Sequence, residues 1–179
     1  MEDQDLITSF LRGEEEAFEG LMARYQRPLF YLIRAMVRDR EEARDITQEA
    51  FIKAFRNLRK LRKRDRFKPW LFRIAVNAVR DHMRTRREDE ELDRYAESDL
   101  PSQETRSIQR DLKEKIREEL NGLPPRQKEV FILRIFQDLG FNEIAETLDI
   151  NPKTARAHFH FALKRIREQL RKRGIANEV

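Results

Sequence analysis

Between Leu139 and Ala155 the chain is punctuated so tightly that one local architecture fits it. Gly140 stands where a helix can begin, and Glu143, three positions on, is able to reach back to the cap. Asn151 makes a good N-cap for a second helix and Pro152 a good first residue, since proline's missing donor is not needed there. Asp149, between the two, tolerates the left-handed backbone that a tight reversal requires. So short a connection makes the helices cross steeply, as in a helix-turn-helix, whose second helix offers its N-terminal residues to a major groove.

At roughly 100° per residue, Ala155, Phe159, Ala162, Ile166 and Leu170 share one narrow face of that second helix and are expected to be buried. Lys153, Ala157, His160, Phe161 and Lys164 lie opposite and can meet DNA. His158 and His160 point away from each other, so they cannot hold one metal between them; helical ligand pairs need i, i+3 or i, i+4 spacing. The chain has no cysteine and no serine after Ser107, which leaves these histidines without a nucleophile to activate. For His160, a solvated surface histidine and a contact to phosphate or base both stay open.

The rest of the chain also reads as helical. Apolar residues recur at helix spacing in Phe18, Leu21, Met22 and Tyr25, then in Leu29, Leu32, Ile33 and Met36, with a kink or break expected at Pro28. Further helices are predicted over about 41–57, 69–86, 111–120, 125–136, 141–148 and 152–172, and no stretch sustains the period-two alternation of a strand. The expected fold class is all-α: two small helical domains, residues 1–87 and 112–179, joined over 88–111 by an acidic flexible linker, with the helix-turn-helix in the C-terminal one.

Charge sharpens this division. The 179 residues carry a net charge of +5, but residues 53–87 alone hold 14 basic and 2 acidic side chains, and 88–111 hold 3 and 9. A basic block interleaved with Phe55, Phe67, Trp70 and Phe72 is a candidate nucleic-acid surface, beside the plainer reading of a basic, soluble face. Without cysteine, neither disulfides nor a thiolate zinc site is available. The N-terminus is acidic and no apolar run approaches the roughly 18 residues of a membrane span, so a cytoplasmic protein with no membrane span is expected.

Within 43–55, Ile46, Ala50 and Phe55 are expected to face inward. Asp45, Gln48, Glu49 and Ile52 form a polar stripe with one apolar member, suited to docking a partner helix, although an ordinary solvated face has the same pattern. Over 67–84 aromatic and basic residues alternate as in single-stranded DNA binders, where rings stack on bases and cations hold phosphates. Asn77 offers both a donor and an acceptor to a base edge. Trp70 and Ile74 are expected in the core, and Phe67, read as lying in the loop before the helix, is the better stacking candidate.

Three stretches together resemble one family: Asp45-Ile46-Thr47-Gln48-Glu49-Ala50-Phe51, then Trp70-Leu71-Phe72-Arg73-Ile74-Ala75-Val76-Asn77, then Leu123-Pro124-Pro125-Arg126-Gln127 through Glu143-Ile144-Ala145 to Lys153-Thr154-Ala155. In that order, with an acidic segment before the third, they resemble the extracytoplasmic-function (group IV) sigma factors of the bacterial sigma-70 family. The resemblance implies a non-enzymatic subunit that binds core RNA polymerase and directs promoter-specific initiation. It also implies contacts of Asp45, Gln48, Glu49 and Ile52 with core polymerase. Recognition of a melted −10 element would fall to Lys60, Arg62, Lys63, Phe67, Arg73, Asn77, Arg80 and Arg84. Recognition of a duplex −35 element would fall to Lys153, Thr154, Arg156, Ala157, His160, Phe161 and Lys164. Residues Leu123 to Phe136 would help meet the polymerase flap, the acidic linker would thread the core enzyme, and an anti-sigma factor would be a further partner. No cofactor and no metal are implied.

The chain departs from the family pattern at Arg44, where an acid is usual, and in the loop after Leu58, which lacks a glycine and is rich in Lys and Arg. In the recognition helix Phe161 and His158 stand where arginine is frequent, and Ala155 where valine is usual. Two rivals have distinct signatures. A free-standing helix-turn-helix regulator would bind duplex tightly without polymerase, and a metal-dependent nuclease would use Asp45, Glu49 and Asp81.

Overall fold

The computed structural model describes residues 2–37, 39–92 and 120–172, and among these it is helical without strands. The elements run α1 (Asp3–Leu11), α2 (Ala17–Met36), α3 (Arg40–Asn57), two 3-10 turns (Leu58–Lys60 and Arg64–Arg66), α4 (Phe67–Leu92), α5 (Pro125–Phe136), α6 (Phe141–Leu148) and α7 (Pro152–Lys172). The linker core and nearly all of the helix expected over 111–120 lie outside the described residues.

Local chemistry fixes the starts. The backbone N–H of Glu2 donates to Asp5 at 2.8 Å, opening α1, a helix the apolar spacing did not predict. Asp39 accepts from the N–H groups of Glu41 (2.7 Å) and Glu42 (2.9 Å), capping α3. These bonds favour the charged carboxylate and hold Asp39 below the ordinary carboxylate range, that of Glu42 contributing most. Gly20 lets α1 lie close on α2: a Cβ there would stand 2.8 Å from a methyl of Leu6.

Pro28 does not break its helix; α2 is continuous over 20 residues. An internal proline costs about 3 kcal/mol. Leu21, Leu29, Leu32 and Ile33 are fully buried along the same helix, and at about 1.5–3 kcal/mol each their burial outweighs it. Tyr25 joins this face, its hydroxyl bonded to Asp3, and burial followed by that carboxylate pushes its pKa well upward. α4 starts at Phe67, two residues earlier than predicted, because Pro69 falls at the third helical position, where no intrahelical donor is lost. It runs on to Leu92, so the first acidic residues assigned to the linker are helical.

α2 packs on α1, α3 and α4, and α7 packs on α5 and α6. The two halves are not separate bodies: α4 lies against α6 and α2 against α5. One apolar cluster runs from Leu6 and Phe10 through Leu71, Phe72 and Val76 to Val130, Leu133, Ile144 and Ala155. A smaller cluster of Leu120, Leu123, Phe131 and Ala162 lies under α7.

Candidate nucleic-acid interface

The helix-turn-helix forms as its punctuation requires. Gly140 N–H donates to Glu143 at 2.8 Å, and Thr154 N–H donates to Asn151 Oδ1 at 2.8 Å. Asp149 turns the chain in the left-handed region at φ 55°. On α7, Ala155 and Ala162 are buried and Phe159 and Ile166 partly so, as the stripe predicted, while the side chain of Leu170 lies outside the described residues. Lys153, Arg156, Ala157, His160, Phe161 and Lys164 face solvent, and Thr154 is half-buried at the helix start. Phe161 is 53% exposed, held edge-on by the His160 ring at 6.0 Å. Arg156 lies over the Phe141 ring at 5.6 Å, which ties the start of α7 to α6.

Six basic residues of the N-terminal half line two cavities at the junction of the halves. One, of about 290 Å³, is lined by Lys60, Arg62, Lys63, Arg66 and Arg73 with Leu61, Trp70 and Glu146. The second, of about 350 Å³, lies between α4 and the end of α6 and is lined by Arg73, Asn77, Arg80, Arg126, Thr147, Leu148 and Asp149. Six of the eight residues assigned to −10 recognition thus line these two cavities. Arg84 stands apart on the exposed outer stretch of α4, 3.5 Å from Asp81.

Phe67 corrects its assignment. It is fully buried, packed on Tyr25 at 5.4 Å and Trp70 at 5.8 Å, because it belongs to the first turn of α4 and not to the preceding loop. A ring in that position cannot stack on a base. Trp70, expected in the core, is only half-buried and lines the first cavity among the cations. The signal that could have exchanged the two was the tolerance of proline through the whole first helical turn.

On α3, Asp45, Gln48 and Glu49 are exposed and Ile52 is 44% exposed, so the four share one accessible face. Glu49 pairs with Lys53 at 2.6 Å. Phe55, expected to face inward, stands partly exposed at the end of that helix against Phe10 and Phe18, while Phe51 takes the buried position. Arg44 pairs with Glu41 at 2.7 Å along its own helix.

A helix-turn-helix joined to a second helix bearing cations, an amide and a half-exposed tryptophan defines a class: an all-helical protein with two DNA-suited faces. The chain matches Sigma-70 region 2 over residues 21–88 and Sigma-70, region 4 over residues 113–166. It is 32% identical to the RNA polymerase sigma-H factor of Pseudomonas aeruginosa, covering 94% of each chain, and 29% identical to the ECF RNA polymerase sigma factor SigW of Bacillus subtilis, covering 92% of this chain and 95% of that one. Its fold is similar to CnrH in the structure of CnrH with the cytosolic domain of CnrY, with a TM-score of 0.75 at 23% identity over 95% and 97% of the chains. It is also similar to RpoE in complex with the anti-sigma factor NepR from Bartonella quintana, with a TM-score of 0.71 at 21% identity over 87% and 98%. The chain belongs to the sigma-70 family of RNA polymerase sigma factors, in its extracytoplasmic-function group.

Proposed function

We propose that this sigma factor divides promoter-directed initiation among three helices, with α3 docking on core polymerase, α4 holding the melted −10 strand and α7 reading the −35 duplex. The observation that carries the reading is the coexistence, on one chain, of two separated basic faces and a third face of a different chemistry. That third face, Asp45, Gln48, Glu49 and Ile52, combines charge, an amide and an apolar group at helical spacing, as a partner helix requires.

On α4 and the turns before it, Lys60, Arg62, Lys63, Arg73 and Arg80 would neutralise phosphates, Asn77 would meet a base edge and Arg84 would extend the basic track. Trp70, partly buried against the core but lining the cavity among those cations, takes the stacking role in place of Phe67. No bond is made or broken by the chain; the free energy for holding the strand open comes from stacking and pocketing unpaired bases. On α7, Lys153, Thr154, Arg156 and Lys164 would position the helix on the backbone, and Ala157, His160 and Phe161 would face the base edges. The acidic segment 88–111 would separate the two domains, 1–87 and 112–179, on the polymerase. An anti-sigma factor is a further partner on this reading, and the site of action is the cytoplasm. Among the described residues no helix is long and apolar enough to cross a membrane.

Run-off transcription with core polymerase on a genomic fragment library tests the reading. New start sites should appear, preceded by common −35 and −10 sequences at constant spacing. Core polymerase giving no new start sites with this protein would refute it. Tight specific duplex binding without core would favour the free-standing regulator instead, and magnesium-dependent cleavage lost in Asp81→Asn would favour the nuclease.

A further inference from the structure

α1 takes no part in the three faces described so far, and it precedes residues 21–88, the stretch that matches Sigma-70 region 2. It is nevertheless firmly seated. Leu6, Ile7 and Phe10 are buried in the core, and Asp3 bonds both Arg24 and Tyr25 of α2. α1 also packs on the 3-10 turn Arg64–Arg66, in the basic loop that joins α3 to α4. The Thr8 hydroxyl donates to the Gln4 carbonyl one turn back at 2.6 Å, which commits its one proton and leaves its lone pairs to accept. Arg64 supplies the donor: its Nη1 meets Thr8 Oγ1 at 2.6 Å, from 56 residues further along the chain. Nearer the start of the loop, the Arg59 guanidinium lies over the Phe10 ring at 5.9 Å, and Phe10 is itself held edge-on by Phe55 at 5.2 Å.

These contacts sort the cations of the loop. Lys60, Arg62, Lys63 and Arg66 line the cavity they share with Trp70, whereas Arg59 and Arg64 are engaged by α1. The loop contains no glycine, and the buried Leu58 and Phe67 fix its two ends. Between them Leu61 N–H donates to the Leu58 carbonyl and Arg66 N–H to the Lys63 carbonyl, both at 3.0 Å, and neither bond spans the link from Arg62 to Lys63. Arg59 and Arg64 bracket that link. Holding both on α1 therefore limits how Arg62 and Lys63 are presented to the cavity.

We propose that α1 is a brace for the basic loop: Thr8 and Phe10, which hold Arg64 and Arg59, are positioning residues that set how Arg62 and Lys63 meet the −10 strand, and so which base is preferred there. The proposal rests on the sigma-factor reading for the ligand of the loop. It gives Arg64 a role inside the protein, as the partner of a hydroxyl, and not on a DNA phosphate.

Thr8→Val keeps the shape of the side chain and removes the acceptor, while Thr8→Ser keeps the acceptor. In the free full-length chain, amide hydrogen exchange over residues 61–66 should quicken about fivefold in Thr8→Val and return towards wild type in Thr8→Ser. With core polymerase and a promoter library randomised over the −10 element, Thr8→Val should alter the ratio between bases at one −10 position by about threefold, with −35 preference unchanged. Arg64→Ala should give the same altered profile, and the double variant no further change, because the two residues act as one pair. Arg64→Ala also keeps the test open if Thr8→Val misfolds. Initiation lowered uniformly across −10 sequences in Arg64→Ala, with Thr8→Val like wild type, would make Arg64 a phosphate contact and overturn the brace. Faster exchange with an unaltered −10 profile in a chain that initiates would overturn it too, as would Thr8→Val matching wild type in both measurements. Wild-type protein giving no start sites with core removes the sigma-factor reading instead, and the exchange measurement then decides by itself whether α1 holds the loop.

Discussion

α4 and α7 both carry cations beside an aromatic ring, but on α4 one of them, Arg80, is half-buried against the other half of the chain. On α7 the buried stripe faces α5 and α6 of its own half, leaving Lys153, His160, Phe161 and Lys164 exposed. On α4 the apolar residues Leu71, Phe72, Ala75 and Val76 are consumed by the N-terminal core, and the polar side carrying Arg73, Asn77 and Arg80 is faced by α6 and α5. A cation on a basic helix is therefore not by itself an available contact: Arg73 and Arg84 stay exposed, whereas Arg80 does not. What decides availability is whether the opposing element supplies a partner, and here Glu129 does so for Arg80.

The largest expected effect tests whether the halves share a core. Leu133 is fully buried in the apolar cluster that spans both halves. Leu133→Ala should destabilise by about 2–5 kcal/mol, and the loss should appear in the melting of the whole chain as one transition. Two transitions by calorimetry, with only one shifted by the substitution, would make α4 and α7 members of independent bodies and remove the contrast between them.

Asn77→Ala probes the polar side of α4. With core polymerase present, loss of a hydrogen-bonding amide should lower initiation about tenfold, near 1.4 kcal/mol, while duplex −35 binding stays unchanged. Equal losses in both assays would mean that Asn77 acts through folding and not through the −10 strand. Phe161→Arg probes the open face. If the ring touches a thymine methyl or sugar edge, as proposed for α7, the substitution should shift preference at one −35 position by about 1 kcal/mol. An unchanged −35 preference in a promoter library would refute that contact.

How much of this was legible follows from the range of the interactions concerned. The helix-turn-helix was written out by Gly140, Asp149, Asn151 and Pro152, because caps and tight turns depend on residues within four positions of each other. The exposure of Asp45, Gln48, Glu49 and Ile52 on one face of α3 was likewise readable from helical spacing, with Phe55 misplaced because residues at the end of a helix answer to whatever packs beyond it. Phe67 was misplaced and a break at Pro28 did not form because proline is a weaker boundary than it looks: Pro69 falls in the donor-free first turn of α4, and burial along α2 carries that helix past Pro28. The pairing of Arg80 with Glu129, 49 residues apart, has no local signature at all. A charged residue on a basic helix and another on an amphipathic helix become partners only once two apolar faces have met.

The smallest effect compares caps in the two halves. Asp39 caps α3 with a carboxylate, and Asn151 caps α7 with an amide that cannot titrate. Asn151→Ala should lower stability by about 1 kcal/mol at every pH. Asp39→Ala should lower the melting temperature at neutral pH by a pH-dependent amount. Because folding holds the Asp39 pKa below its ordinary 3.8, the cap's contribution is complete above that value and is lost as pH falls through the folded value. Melting curves of the two variants against wild type, taken from neutral pH down through 3.8 and below, should therefore converge with wild type for Asp39→Ala and keep a constant offset for Asn151→Ala. An Asp39→Ala deficit that persists unchanged in acid would mean that its carboxylate does not carry the cap, and that α3 is held by packing alone.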